Sequence, residues 1–558
     1  MPFSFKARSG ILVTIVLLAG GLPEVGFPWN GRIVQAVAVS QTLQKDIELQ
    51  VGIVQRFGGQ PSDTLTLQAR PGDRLTFRFQ ADGKVKTLAS NTAKLSIVMQ
   101  PLPNPQLEER VVLSTHRSFE SAEDDANRWR ANGIPVEIAQ PKRWQVWAKR
   151  DVYANPLLRR LLLESLQRQG VQTAFVDTQV KPKRPQVSLS VNGTQYTQSE
   201  MDISSSKGVI QVQPQMKDDR TPRFYAGNLR LQSNAYGTYT LVNRVPLEAY
   251  LRGVVPHEIG TFAAPSVLEV QAILARTYAL RNLRRFTVDG YQLCADTQCQ
   301  VYHGLSGTDP KTDRAIAKTR GQVLTYQNEL VDAVYSAATG GVTAAFNDVW
   351  HGSDRPYLRA VVDSVASRWD LARQSLAEEK NFRQFIQQKK GFNEETEKWF
   401  RWRYDSQIAE LNHDLREHLK TLRHPLMNFK TIQRLDVVQR SPAGRVQKLR
   451  VTTDQGAIDL EKDNIQIAFY APASLLFYVD PLYDAQKNNT QKKLKGYSFV
   501  GGGLGHGVGL SQTGSYHLGK LGWSSDRILS FYYPGTQLQP ISQSLVFWRD
   551  PQGLQSHK

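Results

Sequence analysis

The stretch YLRGVVPHEIG, residues 250–260, puts a carboxyl where helical structure should stop. In VPLEAYLRGVV, Leu247, Leu251 and Val254 share one helical face, and Pro246 suits a first turn. Pro256 then disfavours helix at Val255, which leaves Glu258 just past a helix end. The negative end of the helix dipole opposes ionisation there, and partial burial would act in the same direction. A raised pKa is what a general acid needs near neutral pH. The competing reading is an exposed polar turn residue. Ser266 followed by Glu269 fits a capping box at the start of the next helix, so Glu269 has a structural explanation that Glu258 lacks. The segment VLEVQAILARTYAL is apolar around most of its circumference, which predicts a buried helix.

Three other stretches carry residue types capable of chemistry. In GGGLGHGVGLSQTGSYHLGKLGW the glycines permit positive φ and close backbone approach. The block lacks the Gly-Lys-Ser/Thr ending of a phosphate-binding loop and the strand–helix unit of a dinucleotide site. His506 among those glycines reads either as the polar floor of a cleft or as a ring bonded to backbone in a tight turn. Cys294 and Cys299, the only cysteines, stand in CADTQCQVYHG with His303 four residues on. That spacing suits a disulfide closing a short loop, or a zinc site in which Cys294, Cys299 and His303 are ligands and the fourth is not visible. YSAATGGVTAAFNDVW reads as a strand, a glycine turn and a loop, with Thr343 and Trp350 placed to line a cleft or to pack.

The 558 residues are 40% apolar and 22% charged, enough to bury real cores. A formal net charge of +18 attracts polyanions: nucleic acid, acidic lipid or anionic wall polymer. No zinc-finger spacing, basic zipper or RNA-binding aromatic motif is present. Residues 1–38 read as an export signal, with Lys6 and Arg8 ahead of ILVTIVLLAGGL and a small-residue cleavage site at Ala36–Ala38. The apolar run is short for a membrane span, which needs about 20 residues, so membrane contact would come only through an uncleaved N-terminal anchor. Export argues against nucleic acid and leaves the periplasm or cell wall.

Residues 39–105 alternate apolar and polar positions and form a β-rich region. Residues 106–180 run β-α-β-β-α-β, a two-layer sandwich with two helices on one sheet face. KPKRPQ near residue 181 reads as a basic linker. From 185 to 545, strands lead into the helical part and return after a charged, largely helical insertion at 365–430, whose charge reads as a solvated helix face. The expected fold class is α+β, with a cleft between the helical and β parts of a catalytic domain.

Five ordered stretches carry a family resemblance: VNRVPLEAYLRGVVPHEI, QAILARTYAL, DTQCQVYHG, ATGGVT and GHGVGLSQTGSYHLGKLGW with ILSFYYPGT. They resemble the SpoIID/LytB family of stage II sporulation proteins D and amidase enhancers. The 106–180 pattern resembles the SPOR domain, a peptidoglycan glycan-binding module. The first resemblance implies a peptidoglycan lytic transglycosylase, with Glu258, at the Glu of the Val-Pro-x-Glu motif, as the single acid/base. It would protonate the glycosidic oxygen and then assist the 6-hydroxyl of N-acetylmuramic acid in attacking C1, leaving a 1,6-anhydro end. Water is not consumed, so the paired carboxyls of most glycosidases are not needed. No cofactor is required by this chemistry, and a structural zinc is implied for some family members. Gln271, Arg276, Tyr302, His506, Ser511 and Gln512 match motif positions and are expected to line the cleft and contact sugar. Leu510, Thr513 and Ser515 depart from the usual Met, aromatic and Ala and look like packing substitutions. The alternative implied function is a non-enzymatic enhancer that binds the wall and activates an N-acetylmuramoyl-L-alanine amidase. Glycan strands are the implied partner in either case, with a wall amidase added in the second.

Overall fold

In the α+β fold of the computed structural model, which describes residues 46–171, 173–484, 493–551 and 556–557, the N-terminal strands are shared with later sequence. The export signal or anchor expected at 1–38 lies outside the described residues. Strand Glu48–Phe57 pairs antiparallel with Tyr239–Pro246, and Leu75–Ala81 pairs with Met201–Ser205, within a seven-stranded sheet. Thr64–Ala69 pairs with Val209–Gln215 in a second, eight-stranded sheet. Alternating side chains explain this arrangement: Leu65, Leu67, Leu75, Phe77, Leu229, Leu231 and Leu241 point into one shared core. The strands of residues 46–105 therefore need those of 201–246 to complete their sheets.

The β-α-β-β-α-β order at 106–180 is present. Strand Thr92–His116 pairs with Trp144–Ala148 and Phe175–Val191, and Trp144–Ala148 pairs with Val136–Ala139, all antiparallel. Helix Phe119–Ala131 starts at the Ser118 cap and is followed by Gly133 at φ +78°. Helix Pro156–Arg168 starts at the Asn155 cap and is followed by Gly170 at φ +83°. The module is docked on the later sequence. Trp144 stacks edgewise on Phe119 at 5.1 Å and lies 5.1 Å from Phe286, while Glu123 pairs with Arg284. The basic linker expected at KPKRPQ is not a linker. Residues 181–185 are half of a β ribbon, with Lys183 opposite Pro101 and Pro185 opposite Met99. The bulge between Pro101 and Gln106 accommodates Pro182, whereas Pro185 lies in the regular part of the ribbon.

The insertion at 365–430 is less helical than its charge suggested. Helices Glu379–Gln387 and Ile408–Thr421 flank strand Trp402–Gln407, which joins Leu494–Gly501. Trp369, Phe382, Phe385, Phe392 and Phe400 bury together with Leu476, so the insertion has its own aromatic core beneath the solvated charges.

Helix Pro265–Arg281 is the hub of the helical part. Every side chain from Val267 to Arg281 is buried, as its all-round apolar pattern predicts. Helices Val255–Glu258, Pro310–Lys318, Gln512–Lys520 and Ser525–Tyr532 pack on it. The capping box expected at Ser266 and Glu269 is not formed. The helix begins two residues earlier than that cap implies, at Pro265 after Ala264, and Glu269 instead pairs with Lys318 at 2.6 Å and accepts from Ser525 at 3.1 Å. Gly253 ends helix Leu247–Arg252 where the chain touches the Gly304 carbonyl and the Tyr302 ring. Both neighbours are fixed, so a methyl group has nowhere to go. Gly253→Ala is expected to destabilise the protein by about 2–3 kcal/mol, measured by urea unfolding; a loss within experimental error would show that the contact relaxes freely.

Candidate active site

Pro256 does not end the helical run but restarts it. The chain breaks at Gly253 and Val254, and a single turn, Val255–Glu258, follows with the proline near its start. Glu258 is the last residue of that turn, partly exposed, and its Oε1 accepts the Val301 amide at 2.7 Å. Burial lifts its pKa from the ordinary 4.5 to about 7, against the downward pull of the Val301 amide and of hydrogen bonds from Tyr335 and Gln512. No cation contributes to that balance. A carboxyl in this state can both give and take a proton near neutral pH.

Each partner is delivered by a different part of the fold. Val301 follows the cysteine loop, which leaves the seven-stranded sheet where Leu293 and Cys294 pair in parallel with Val51 and Gly52. Gln300 beside it is fully buried and bridges two phenols, accepting from Tyr250 at 3.1 Å and donating to Tyr335 at 3.1 Å. Burial holds both phenols well above their usual range, so they stay neutral. Tyr335 lies on a two-residue strand paired in parallel with Leu510–Ser511. Gln512 comes next, and its side-chain amide donates to the Glu258 carbonyl at 3.0 Å. The Tyr516 hydroxyl donates to the Ile259 carbonyl at 2.6 Å, fixing the exit of the turn. Tyr335, Gln300 and Val301 were not singled out from sequence. Gln300 and Val301 sit inside the DTQCQVYHG motif and Tyr335 lies three residues before ATGG, so proximity to those motifs is the available signal.

The remaining expected site residues lie elsewhere or are committed. Gln271 is fully buried on the hub helix, and neither of its side-chain polar atoms has a partner among the described residues. Arg276 is fully buried and forks onto Glu248 through two bonds of 2.8 Å, tying two helices together. Tyr302 is buried and donates to Asn243 at 2.7 Å. His506 accepts the Val508 amide at 3.0 Å, lies 5.0 Å from the Trp350 ring, and is pushed down to about 4 by burial, so it is neutral at pH 7. Ser511 is buried and donates to Glu394. Arg276, Tyr302 and Ser511 thus brace the fold from within, His506 sits partly exposed beside Trp350, and Gln512 reaches Glu258.

Cys294 and Cys299 are joined as a disulfide. Both sulfurs are spent on each other, so the zinc expectation does not fit: no thiolate remains, and His303 packs on His257 with ring centroids 4.4 Å apart. Among the described residues, no group of three or more His, Cys, Asp and Glu side chains is placed to hold a metal. His257 itself donates to the Ser306 carbonyl at 2.7 Å, a bond that anchors the neighbouring loop. A cavity of about 370 Å³ lies apart from Glu258, along helix Phe119–Ala131 and Trp548. Its carboxylates Glu123 and Asp332 are already paired with arginines.

Burial of Glu258 has a thermodynamic signature. The folded state keeps its proton to about pH 7, whereas the unfolded chain releases it near 4.5. Stability from this group is full below 4.5 and is lost as pH rises through about 7. Glu258→Gln removes that loss, so at pH 8 the variant should exceed wild type by about 2 kcal/mol, allowing for partial solvent contact, and the two should converge at pH 4. Urea unfolding at the two pH values checks this; a difference independent of pH would mean the carboxyl is not held protonated.

Residues 235–326, which hold Glu258, Gln300 and Val301, match the Stage II sporulation protein (SpoIID) family, and residues 344–509 match a domain of unknown function (DUF8618). The amidase enhancer of Bacillus subtilis (strain 168) is 29% identical over 305 residues, covering 52% of this chain and 40% of that protein. Stage II sporulation protein D of the same strain is 25% identical over 352 residues, covering 60% of this chain and 86% of its own length. Stage II sporulation protein D of Bacillus amyloliquefaciens is 34% identical over 144 residues, 23% of this chain and 40% of that protein. The chain thus spans well under half of the amidase enhancer's length. The segment that carries the Glu258 turn and its Val301 partner is thus similar to the SpoIID family, and the relatives it resembles are stage II sporulation proteins D and an amidase enhancer.

Proposed function

We propose that the protein is a peptidoglycan lytic transglycosylase that cleaves glycan strands between N-acetylmuramic acid and N-acetylglucosamine, with Glu258 as acid and then base. The observation that carries this reading is the single carboxyl raised to about 7 by burial and still partly open to solvent. Protonated, Glu258 gives its proton to the glycosidic oxygen as the C1–O bond breaks. As carboxylate it takes the proton of the 6-hydroxyl while that oxygen attacks C1, so the carboxyl ends as it began and a 1,6-anhydro end is left. The Val301 amide, Tyr335 and Gln512 hold the ionised form between the two steps. Neutral phenols around it keep the site free of competing charge. The βαββαβ module would hold the strand, and the net charge of +18 would favour an anionic wall. The site of action is then outside the cytoplasm.

A second reading rests on the amidase enhancer relative: a wall-binding protein that stimulates an N-acetylmuramoyl-L-alanine amidase without cutting glycan. Purified protein and Glu258→Gln should be incubated with glycan stripped of stem peptides and with intact peptidoglycan, and the products weighed by mass spectrometry. Wild type is expected to yield anhydro-sugar ends, and the variant to make them about 100- to 10,000-fold more slowly. If wild type yields none but speeds stem-peptide release by an added amidase, the enhancer reading replaces the first.

A further inference from the structure

The turn Thr339–Gly340–Gly341 folds three successive backbone amides toward one point, with Gly340 at φ +76° and Gly341 at φ +88°. Such a concavity is built for an anion. It is filled from within the chain. Glu394, fully buried in the 344–509 region, accepts from the Thr339 amide at 2.6 Å and the Gly340 and Gly341 amides at 2.7 and 3.1 Å. The Thr339 hydroxyl adds a bond of 2.9 Å, and Ser511 donates its own hydroxyl to the same carboxylate. Ser511 also caps the helix that starts at Gln512, accepting the Gly514 amide at 3.0 Å. Arg401 and Arg445 supply nearby positive charge, bonding to the Gly340 carbonyl at 2.9 Å and to the Thr339 carbonyl at 2.9 Å. Asp363, the neighbouring acid, accepts from Tyr532 at 2.8 Å and Asn393 at 2.7 Å. Burial and the neighbouring Glu394 raise the pKa of Asp363 well above the usual carboxyl range.

The two segments that Glu394 joins are the ones that reach Glu258. Tyr335 and Ser336 lie just before the turn and pair with Leu510 and Ser511; Gln512 follows. Thr513 closes the same unit, donating to the Ala337 carbonyl through its amide and hydroxyl at 3.1 and 3.0 Å. We propose that Glu394 is a positioning residue that pins the Thr339–Gly341 turn to Ser511 and thereby fixes Tyr335 and Gln512 against Glu258. The region matched only to a domain of unknown function thus supplies the internal brace of the acid. This inference rests on Glu258 being the working acid, and its test separates the two claims.

The full chain carrying Glu394→Gln, and separately Ser511→Ala, should be compared with wild type and with Phe382→Leu, a control in the neighbouring aromatic core that removes no hydrogen bond to the Thr339–Gly341 turn. Two readouts are taken: kcat and KM on stripped glycan, and the titration of Glu258 by carbon NMR of labelled glutamate, assigned against Glu258→Gln. Glu394→Gln is expected to lower kcat about 10- to 100-fold with KM changed by less than about threefold, as for a misplaced catalytic group. Because burial outweighs the hydrogen bonds at Glu258, a loosened wall should admit water and drop its titration midpoint by about half a pH unit or more. Ser511→Ala leaves the turn's amides bonded and should move both readouts in the same direction by less. Phe382→Leu should leave the midpoint in place. If wild type cuts no glycan but the midpoint still drops in Glu394→Gln, the brace stands and the transglycosylase reading fails. If Glu394→Gln folds with kcat and midpoint unchanged, Glu394 does not position the site. Should Glu394→Gln fail to fold, Ser511→Ala decides: an unmoved midpoint and kcat overturn the proposal.

Discussion

Burying a carboxyl without a neighbouring cation favours its protonated form, and the fold keeps Glu258 in that condition while leaving it within reach of solvent. An ion pair at this position would have fixed the group as a carboxylate and removed it as an acid. What the site supplies instead is one backbone amide, the neutral phenol of Tyr335 and the amide of Gln512. These donors ease ionisation without forcing it. The result is a pKa near 7 rather than one far into the alkaline range.

Holding that balance takes elements from across the chain. The Glu258 turn is stacked on the hub helix, the cysteine loop hangs from the seven-stranded sheet, and the Tyr335 and Gln512 segments are paired to each other. Charged residues do appear in this frame, but in closed units away from Glu258. Arg276 is satisfied by Glu248, and Glu394 is satisfied by three amides, a threonine and a serine. Both of these buried units are satisfied locally, as the cost of leaving a buried charge unpaired demands. The disulfide closes the loop just ahead of Gln300 and limits the freedom of the segment that carries the Val301 amide.

Local pattern in the sequence reached as far as local physics reaches. The all-round apolar helix at 265–281, the β-α-β-β-α-β order and the unexplained acid at Glu258 were legible because periodicity, glycine stops and helix breaks act over a few residues. The one-turn helix ending at Glu258 was not, since Pro256 can end a helix or begin one and only the Gly253 contact decides which. Nor were the roles of the other motif residues. His506, Ser511 and Tyr302 carry polar groups that look available in sequence, yet their partners are Val508, Glu394 and Asn243. Two of those partners lie in other elements, and nothing in the motif announces them. The KPKRPQ stretch has a linker's composition, and its pairing with residues near 100 is set by a strand some 80 positions earlier.

The central claim is that a neutral, buried Glu258 is the form that starts the reaction, and the pH dependence of glycan cleavage tests it most directly. Rates of anhydro-end formation from stripped glycan, measured as kcat/KM between about pH 3 and 9, should fall as pH rises through about 7, because the acid must be protonated in the free protein. A rate that stays level across that range, or a fall centred near the ordinary carboxyl value of 4.5, would contradict the account.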